Sequence, residues 1–446
     1  MPDTEPPPES RTNTPAVASG FTRLAKIVFL GFLLAWLSLV FWNSAKPLPP
    51  GTHIVSQTSR LAESEVEFFH DLPQRQDVSA REISVIDRAE QLIVLDRSPV
   101  AGELAQHLLS RKRVRPNLKI VLVTDPGNEA FGGTPSRTLA SLEEAGIIVA
   151  RVRLDRLRDS NPLYSGLWRL LFGWWSDPFD ETPGQPSLAA WSRMQNSKAD
   201  QRQLMVADDG AGGWAAMIAP AASTGLILRG PISQAMIASE LQIATWSADD
   251  DRLPQAAPMD GRGVGSIDAR FLTEGAIEAA LLDTLAAAGS GDEISIAVDS
   301  LSDRRLIAAA LRAAARGARL RVLLGRHRVP NQVVAGELKQ GGGHIEVRWY
   351  PIEPGAPHPK LLVVRHGTDL WVNLGSANFT RRNLDDLNLE AGVELRMPAR
   401  AAPARAVTDY FAKVWSGASA AGDAADESAA AYWRYRFAEA TGLSSF

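Results

Sequence analysis

The chain has 446 residues, 45% of them hydrophobic and 22% charged, with a formal net charge of -4 and no cysteine. That length exceeds one ordinary core, so two domains of roughly 150–200 residues are expected. The mildly acidic balance argues against a general nucleic-acid binder, and the lack of cysteine excludes disulfides, thiolate catalysis and cysteine-ligated metals.

Residues 1–20, rich in Pro, Thr, Ser and Glu, read as a disordered N-terminus. From Leu24 to Trp42 the only charge is Lys26. At 1.5 Å per residue this run reaches about 28 Å, enough for one tilted bilayer crossing. A transmembrane anchor over 24–43 is therefore expected, with K46-P-L-P-P-G51 opening a linker over 44–64; a buried core helix is the competing reading. Arg11, Arg23 and Lys26 against Lys46 place the N-terminus inside. The expectation is a single-pass inner-membrane protein with a periplasmic body.

Beyond the linker, a helix near Ala80–Glu90 feeds the apolar run L92-I-V-L-D96. A helix near Gly102–Ser110, the strand L118–T124, a helix near Pro135–Ala145 and the strand I147–V152 follow. Such alternation indicates an α/β layer with a largely parallel sheet. Between Asn161 and Pro178 the chain concentrates Leu163, Tyr164, Leu167, Trp168, Leu170, Leu171, Phe172, Trp174 and Trp175. That is more apolar surface than a solvated loop carries, and it suits a membrane interface or packing on the other half.

A second half repeats the rhythm. Helices are expected near Glu274–Ala288, Arg304–Ala315 and Val329–Gln340, with strands over I294–V298, R319–L324 and I345–W349. Residues 118–152 and 319–349 share strand, polar loop, helix and strand at similar lengths, as an internal duplication would produce. The expected division is a first domain over 65–250, a linker over 251–265 beginning at Asp251 after Asp249 and Asp250, a second domain over 266–418 and a C-terminal helix over 426–442.

The chemistry concentrates in H358-P-K360, followed fifteen residues after the lysine by G375-S-A-N378. His358 supplies a nucleophile or proton carrier, Lys360 a positive charge, and Ser376 and Asn378 neutral donors, an inventory suited to a phosphate oxyanion. H-x-K with a downstream G-S-x-N resembles the signature of the phospholipase D superfamily, in its cardiolipin-synthase-like, membrane-anchored branch, over about residues 65–415. L361-L-V-V364 and F379-T-R-R-N-L384 also fit the surroundings of that family's second motif.

The resemblance implies duplicated α/β/α sandwich domains, one motif from each meeting at a shared cleft. It also implies one histidine attacking phosphorus and a second protonating the leaving alcohol. No metal or other cofactor is expected, since the seven histidines form no ligand-spaced cluster. Glu390, in N388-L-E390, matches the acid that supports the histidine. The motif's usual aspartate is replaced by Arg365, and Asp369 lies four residues late as a possible substitute.

In the first half Gln201 and Gln203 stand at the histidine and lysine positions and Asp208 is kept, while I218-A-P-A-A-S223 replaces G-S-x-N. Glutamine neither attacks phosphorus nor transfers a proton near neutral pH. Lys198, Asp200, Arg202, His327 and His366 are candidate stand-ins, and pairing of two chains in a homodimer would bring two His358 motifs together. Three readings follow. The first is a weak phosphodiesterase or phosphatidyltransferase acting on phospholipid or another phosphodiester. The second is an inactive relative binding anionic lipid, a phosphate ligand or a protein. The third, least favoured by the charge, is a nuclease.

Overall fold

The computed structural model describes residues 16–70, 76–100, 102–127, 136–173, 198–219, 224–248, 250–255, 263–326, 328–342, 344–350, 359–421 and 428–441. His358, His327, Asp249, Trp174, Trp175 and residues 220–223 lie outside this set. Helix α1 (Ala16–Ser44) contains the apolar segment. Its stretch Thr22–Ser44, with mean hydropathy 2.3, is long and apolar enough to cross a membrane.

After β1 (Ser59–Leu61) and β2 (Val66–His70) come α2 (Gln76–Arg88), β3 (Leu92–Asp96), α3 (Gly102–Val114), β4 (Lys119–Thr124), α4 (Ser136–Glu144) and β5 (Ile148–Arg151). Helix α5 (Pro162–Phe172) precedes the antiparallel run β6 (Leu204–Asp208), β7 (Trp214–Ile218) and β8 (Thr224–Arg229), and α6 (Ile232–Ser247) closes the half. The second half runs β9 (Ile267–Thr273), α7 (Gly275–Ala287), β10 (Glu293–Val298), α8 (Arg304–Ala315), β11 (Arg319–Leu324), α9 (Val329–Gln340) and β12 (Ile345–Trp349). The hairpin β13 (Leu361–His366) and β14 (Asp369–Gly375), short α10 (Arg381–Leu384), β15 (Ala391–Pro398), α11 (Ala402–Gly417), β16 (Ser419–Ala420) and α12 (Ala429–Thr441) follow.

The duplication is written into the topology. The first sheet has the order β2-β8-β7-β6-β3-β4-β5, and the second contains β9-β15-β14-β13-β10-β11-β12, with β1 and β16 added at its edges. Strand for strand these are the same arrangement. Among the described strands, β3–β4–β5 and β10–β11–β12 pair in parallel and the other strand pairs are antiparallel. The sheets are therefore mixed, but their parallel share is smaller than the expected "largely parallel". Helical crossovers join the parallel strands, whereas hairpins need only short turns.

Local sequence explains the elements. All five residues of β3 are buried, as an apolar run covered on both faces requires. Helix α8 begins where the Asp303 carboxylate accepts the Leu306 N–H at 2.9 Å. The largest hydrophobic core draws on both halves, joining Val94, Val121 and Val206 to Val372, Leu374 and Leu395, with Met236 of α6 and Val407 of α11.

The segment after α1 is bonded into this body. Lys46 Nζ donates to Asp155 O at 2.8 Å and Arg158 Nε to Lys46 O at 3.0 Å. Trp246 Nε1 donates to Pro50 O at 2.9 Å, and the His53 N–H to Glu274 Oε2 at 2.7 Å.

Candidate active site

Lys360 immediately precedes β13, and the Gly375 N–H donates to its carbonyl at 3.4 Å, so the lysine and the G-S-A-N turn share one end of the hairpin. Gly375 is required there, since a Cβ would stand 2.4 Å from Ala391 O and 2.7 Å from the Gly392 Cα. Ser376 follows with its N–H on Ala391 O at 2.8 Å, and its Oγ accepts the Ala391 N–H at 3.0 Å. That same hydroxyl donates to Glu390, and Asn383 Nδ2 donates to the other carboxylate oxygen. Asn378 is half-buried, with its amide oxygen unpartnered among the described residues; a flipped amide would present a donor there instead.

Glu390 is fully buried. Burial pushes its carboxyl up to about 7, opposed by the hydrogen bonds from Ser376 and Asn383 and by the Lys360 charge. Burial likewise lowers Lys360, with Glu390 and Asp299 opposing and the Arg328 cation adding to the drop. Arg328 is held by Asp299, Nε at 2.9 Å and Nη2 at 2.8 Å. It stands at the start of α9, and the register of β10 with β13 brings the residue after Val298 beside the start of β13. Arg328, Asp299 and Asn383 are thus neighbours that motif reading does not single out. Only Asn383, inside F379-T-R-R-N-L384, left a sequence signal.

Glu390 gives a pH signature. Its folded pKa lies above its ordinary 4.5, so its contribution to stability is present in acid and is lost as pH rises through about 7. The full effect is on the order of 3 kcal/mol. Glu390→Gln is expected to lose less stability than the wild type between pH 5 and pH 8, measured as thermal midpoints in detergent. Parallel pH profiles for the two proteins would contradict this.

The two half-motifs meet directly. Segment 199–201 runs beside 388–390: Leu389 N–H donates to Ala199 O at 3.0 Å, Gln201 N–H to Leu389 O at 2.9 Å, and Ala199 N–H to Asn388 Oδ1 at 3.1 Å. The Gln201 side chain therefore enters the site, its Oε1 accepting from Asn383 Nδ2 at 3.3 Å. Gln203 does not follow it. At φ +51° its amide turns into its own half, donating to Ser98 O at 2.5 Å and accepting from Arg97 Nη1 at 2.9 Å.

Asp208 has a structural task. It accepts the N–H groups of Glu90, Gln91 and Leu92 at 2.9, 2.8 and 2.8 Å, closing the turn into β3. At the matching turn before β10, Asp292 accepts the Gly289 N–H at 2.8 Å and pairs with His366 at 3.0 Å. The acid missing from position 365 is supplied there from the other strand. Asp369 lies at the far end of the hairpin from Lys360, opposite His366 and exposed to solvent, so it does not reach the site.

Among the described residues, the candidate stand-ins supply no second proton carrier to the site; His327 lies outside the described residues. Lys198 pairs with Asp159 at 2.8 Å, and burial lowers it to about 8. Arg202 is fully buried. It donates through Nε and Nη2 to Glu274 at 3.1 and 2.7 Å, through Nη1 to Glu240 and Ser239 at 2.8 Å each, and through Nη2 to Gly51 O at 2.9 Å. Burial opposes its charge, but Glu274 and Glu240 outweigh that and hold its pKa up. Asp200 is raised by burial and then by Glu240; Asp96 is raised by burial and then by Asp200 and Glu240. The first half-site is thus lined by buried carboxyls rather than phosphate donors. Among the described histidines, none has a hydrogen bond to Ser376, Asn383, Glu390 or Gln201.

Part of the second half matches a known family, and the fold as a whole resembles that of a solved protein. Residues 281–415 match the family described as cardiolipin synthase, PLD-like domain. Over nearly its whole length the chain resembles phosphatidylserine synthase of Haemophilus influenzae Rd KW20, with a TM-score of 0.56 at 10% identity, covering 93% of this chain and 98% of that one. A phospholipase D family member of Salmonella typhimurium, Nuc, aligns at 17% identity with a TM-score of 0.29, over 34% of this chain and 97% of that one. Polyphosphate kinase of Porphyromonas gingivalis aligns at 12% identity with a TM-score of 0.48, over 85% of this chain and 53% of that one. None of the curated proteins matches the sequence significantly.

Proposed function

We propose that the chain is a membrane-anchored, phospholipase-D-like phosphodiesterase or phosphatidyltransferase that works from a single half-site on phospholipid phosphodiesters, with low turnover. The observation that carries the reading is the buried Ser376–Glu390–Asn383 cluster beside Lys360, reached from the first half by Gln201. Lys360 and Asn378 hold the phosphate oxygens. An imidazole nitrogen of His358 attacks phosphorus as the bond to the leaving oxygen breaks, and water or an alcohol then displaces the histidine. Glu390 acts by fixing the donors around the phosphate and by balancing the Lys360 charge.

Gln201 has no proton to give, so the leaving oxygen takes its proton from solvent. Lost general acid catalysis typically costs about 10²–10⁴-fold, which is the origin of the low turnover. The same glutamine, with the buried carboxyls behind it, favours a second reading in which the site binds a phosphodiester without turning it over.

Lys360→Met tests the phosphate-binding part that both readings share. Losing a charged phosphate donor is worth roughly 2.7–4 kcal/mol, so binding of a short-chain anionic phospholipid should weaken by about 10²–10³-fold. Titration of the detergent-solubilised protein checks this, and unchanged affinity would remove the phosphate site from both readings.

A further inference from the structure

Helix α5 packs against the membrane-crossing helix rather than on the globular body alone. Trp36 Nε1 donates to Leu163 O at 3.0 Å, and the Asp159 N–H donates to Asn43 O at 3.2 Å. Gly166 makes the close approach, since a Cβ there would lie 2.7 Å from Val40 Cγ2 and 3.2 Å from Trp36 Cδ1. Small residues at helix contacts are the usual packing device inside bilayers.

On the flank of that contact, Leu163, Leu167 and Leu171 recur every four residues and form one stripe. They are 38%, 38% and 41% exposed, and Phe172 beside them is 46% exposed. The α1 segment it packs against is itself bare apolar surface, where Leu37, Phe41 and Trp42 are 45%, 75% and 73% exposed. The contact spans Trp36 to Asn43, so α5 sits within about 12 Å of the end of α1, the depth of the headgroups and upper acyl chains.

The base of α5 is also tied to the candidate site. Asp159 accepts from Arg169 at 2.5 and 2.9 Å and pairs with Lys198, three residues before Gln201. Arg381 Nη2 donates to Ser160 O at 2.8 Å, two residues before Asn383.

We propose that α5 is a second membrane-contacting element, with its Leu163–Leu167–Leu171–Phe172 face in the acyl edge of the leaflet from which α1 emerges. The occupant is lipid because the stripe lies on a helix packed against α1, whose exposed apolar stretch is long enough to cross a bilayer. The body is then held in one orientation to the bilayer, and segments 198–201 and 381–383 sit at a set height above it. The inference rests on α1 crossing the membrane.

Because the chain has no cysteine, single cysteines can be placed without background. Spin labels at Leu167→Cys and Leu171→Cys in the full-length protein, reconstituted in phosphatidylcholine–phosphatidylglycerol vesicles, are compared with Phe29→Cys within α1 and Glu103→Cys on the body. The expected result is that labels at 167 and 171 resemble Phe29, relaxed by oxygen and shielded from a water-soluble nickel chelate. Labels at 167 and 171 that respond to nickel like Glu103, while Phe29 stays shielded, would overturn the inference and leave the anchor standing. Nickel access at Phe29 would overturn both. Strong spin–spin broadening at 167 that vanishes on dilution with unlabelled protein would also overturn it, since a second copy would then cover the stripe.

Discussion

Arg202→Met is expected to destabilise the protein by about 3–5 kcal/mol, the usual cost of removing one partner from a buried ion pair. The guanidinium has no solvent exposure and neutralises Glu240 and Glu274, themselves buried. With the charge gone, those carboxylates and the neighbouring Asp96 and Asp200 would face one another in a dry interior. The damage spreads because Arg202 joins α6, the residue following β9 and the chain leaving α1. Adding Glu240→Gln and Glu274→Gln to Arg202→Met should recover part of the loss, since the buried negative charge leaves with its partner. Thermal midpoints in detergent check both steps, and an unchanged midpoint for Arg202→Met would contradict the clamp.

The second large effect is a gain. Gln201→His should raise phosphodiester turnover by about 10²-fold or more, the lower range of what a positioned general acid supplies. The backbone at 201 is already held against Leu389, and its side chain already reaches Asn383. An imidazole there would stand on the first half's side of the seam between the two halves. Steady-state rates on a diester with a poor leaving group are the sensitive readout, because a good leaving group needs no acid. A rate no higher than wild type would mean that position 201 does not face the reacting oxygen. Adding Gln203→Lys should bring little, since that side chain is turned to Ser98 and Arg97.

Where local pattern decides structure, the sequence was readable. The helix over 304–315 and the strands over 319–324 and 345–349 stand where periodicity puts them. The strands over 214–218 and 224–229 leave a weaker signal, because Ala, Gly and Met carry little strand preference and both runs are buried on two faces. Helix α6 buries polar residues such as Ser233, Ser239 and Glu240 along with its apolar ones, so it shows no stripe to read. The lower parallel share of the sheets follows from these unread hairpin strands.

The candidate site is legible in the sequence as residue types and not as geometry. H-x-K and G-S-x-N named Lys360, Ser376 and Asn378, and N388-L-E390 named Glu390. Sequence spacing offers no way to tell that Gln201 enters the site while Gln203, two residues on, turns away through a positive φ. Nor does it show that Asp208 and Asp292 do equivalent turn-closing work from different strands. Arg202 looks like a spare cation in a damaged motif. Its partners at 51, 240 and 274 become neighbours only once the halves are joined.

The proposed function has one half-site, His358 with Lys360, perform phosphoryl chemistry with Gln201 in place of a first-half histidine. The most direct measurement is acid-quenched mass spectrometry of the detergent-solubilised protein after reaction with a chromogenic phosphodiester. A covalent phosphoryl adduct on His358, absent from His358→Ala, is the predicted result. No adduct in the wild type, with release of chromophore equal to that of His358→Ala, would contradict it and leave a binding site without turnover.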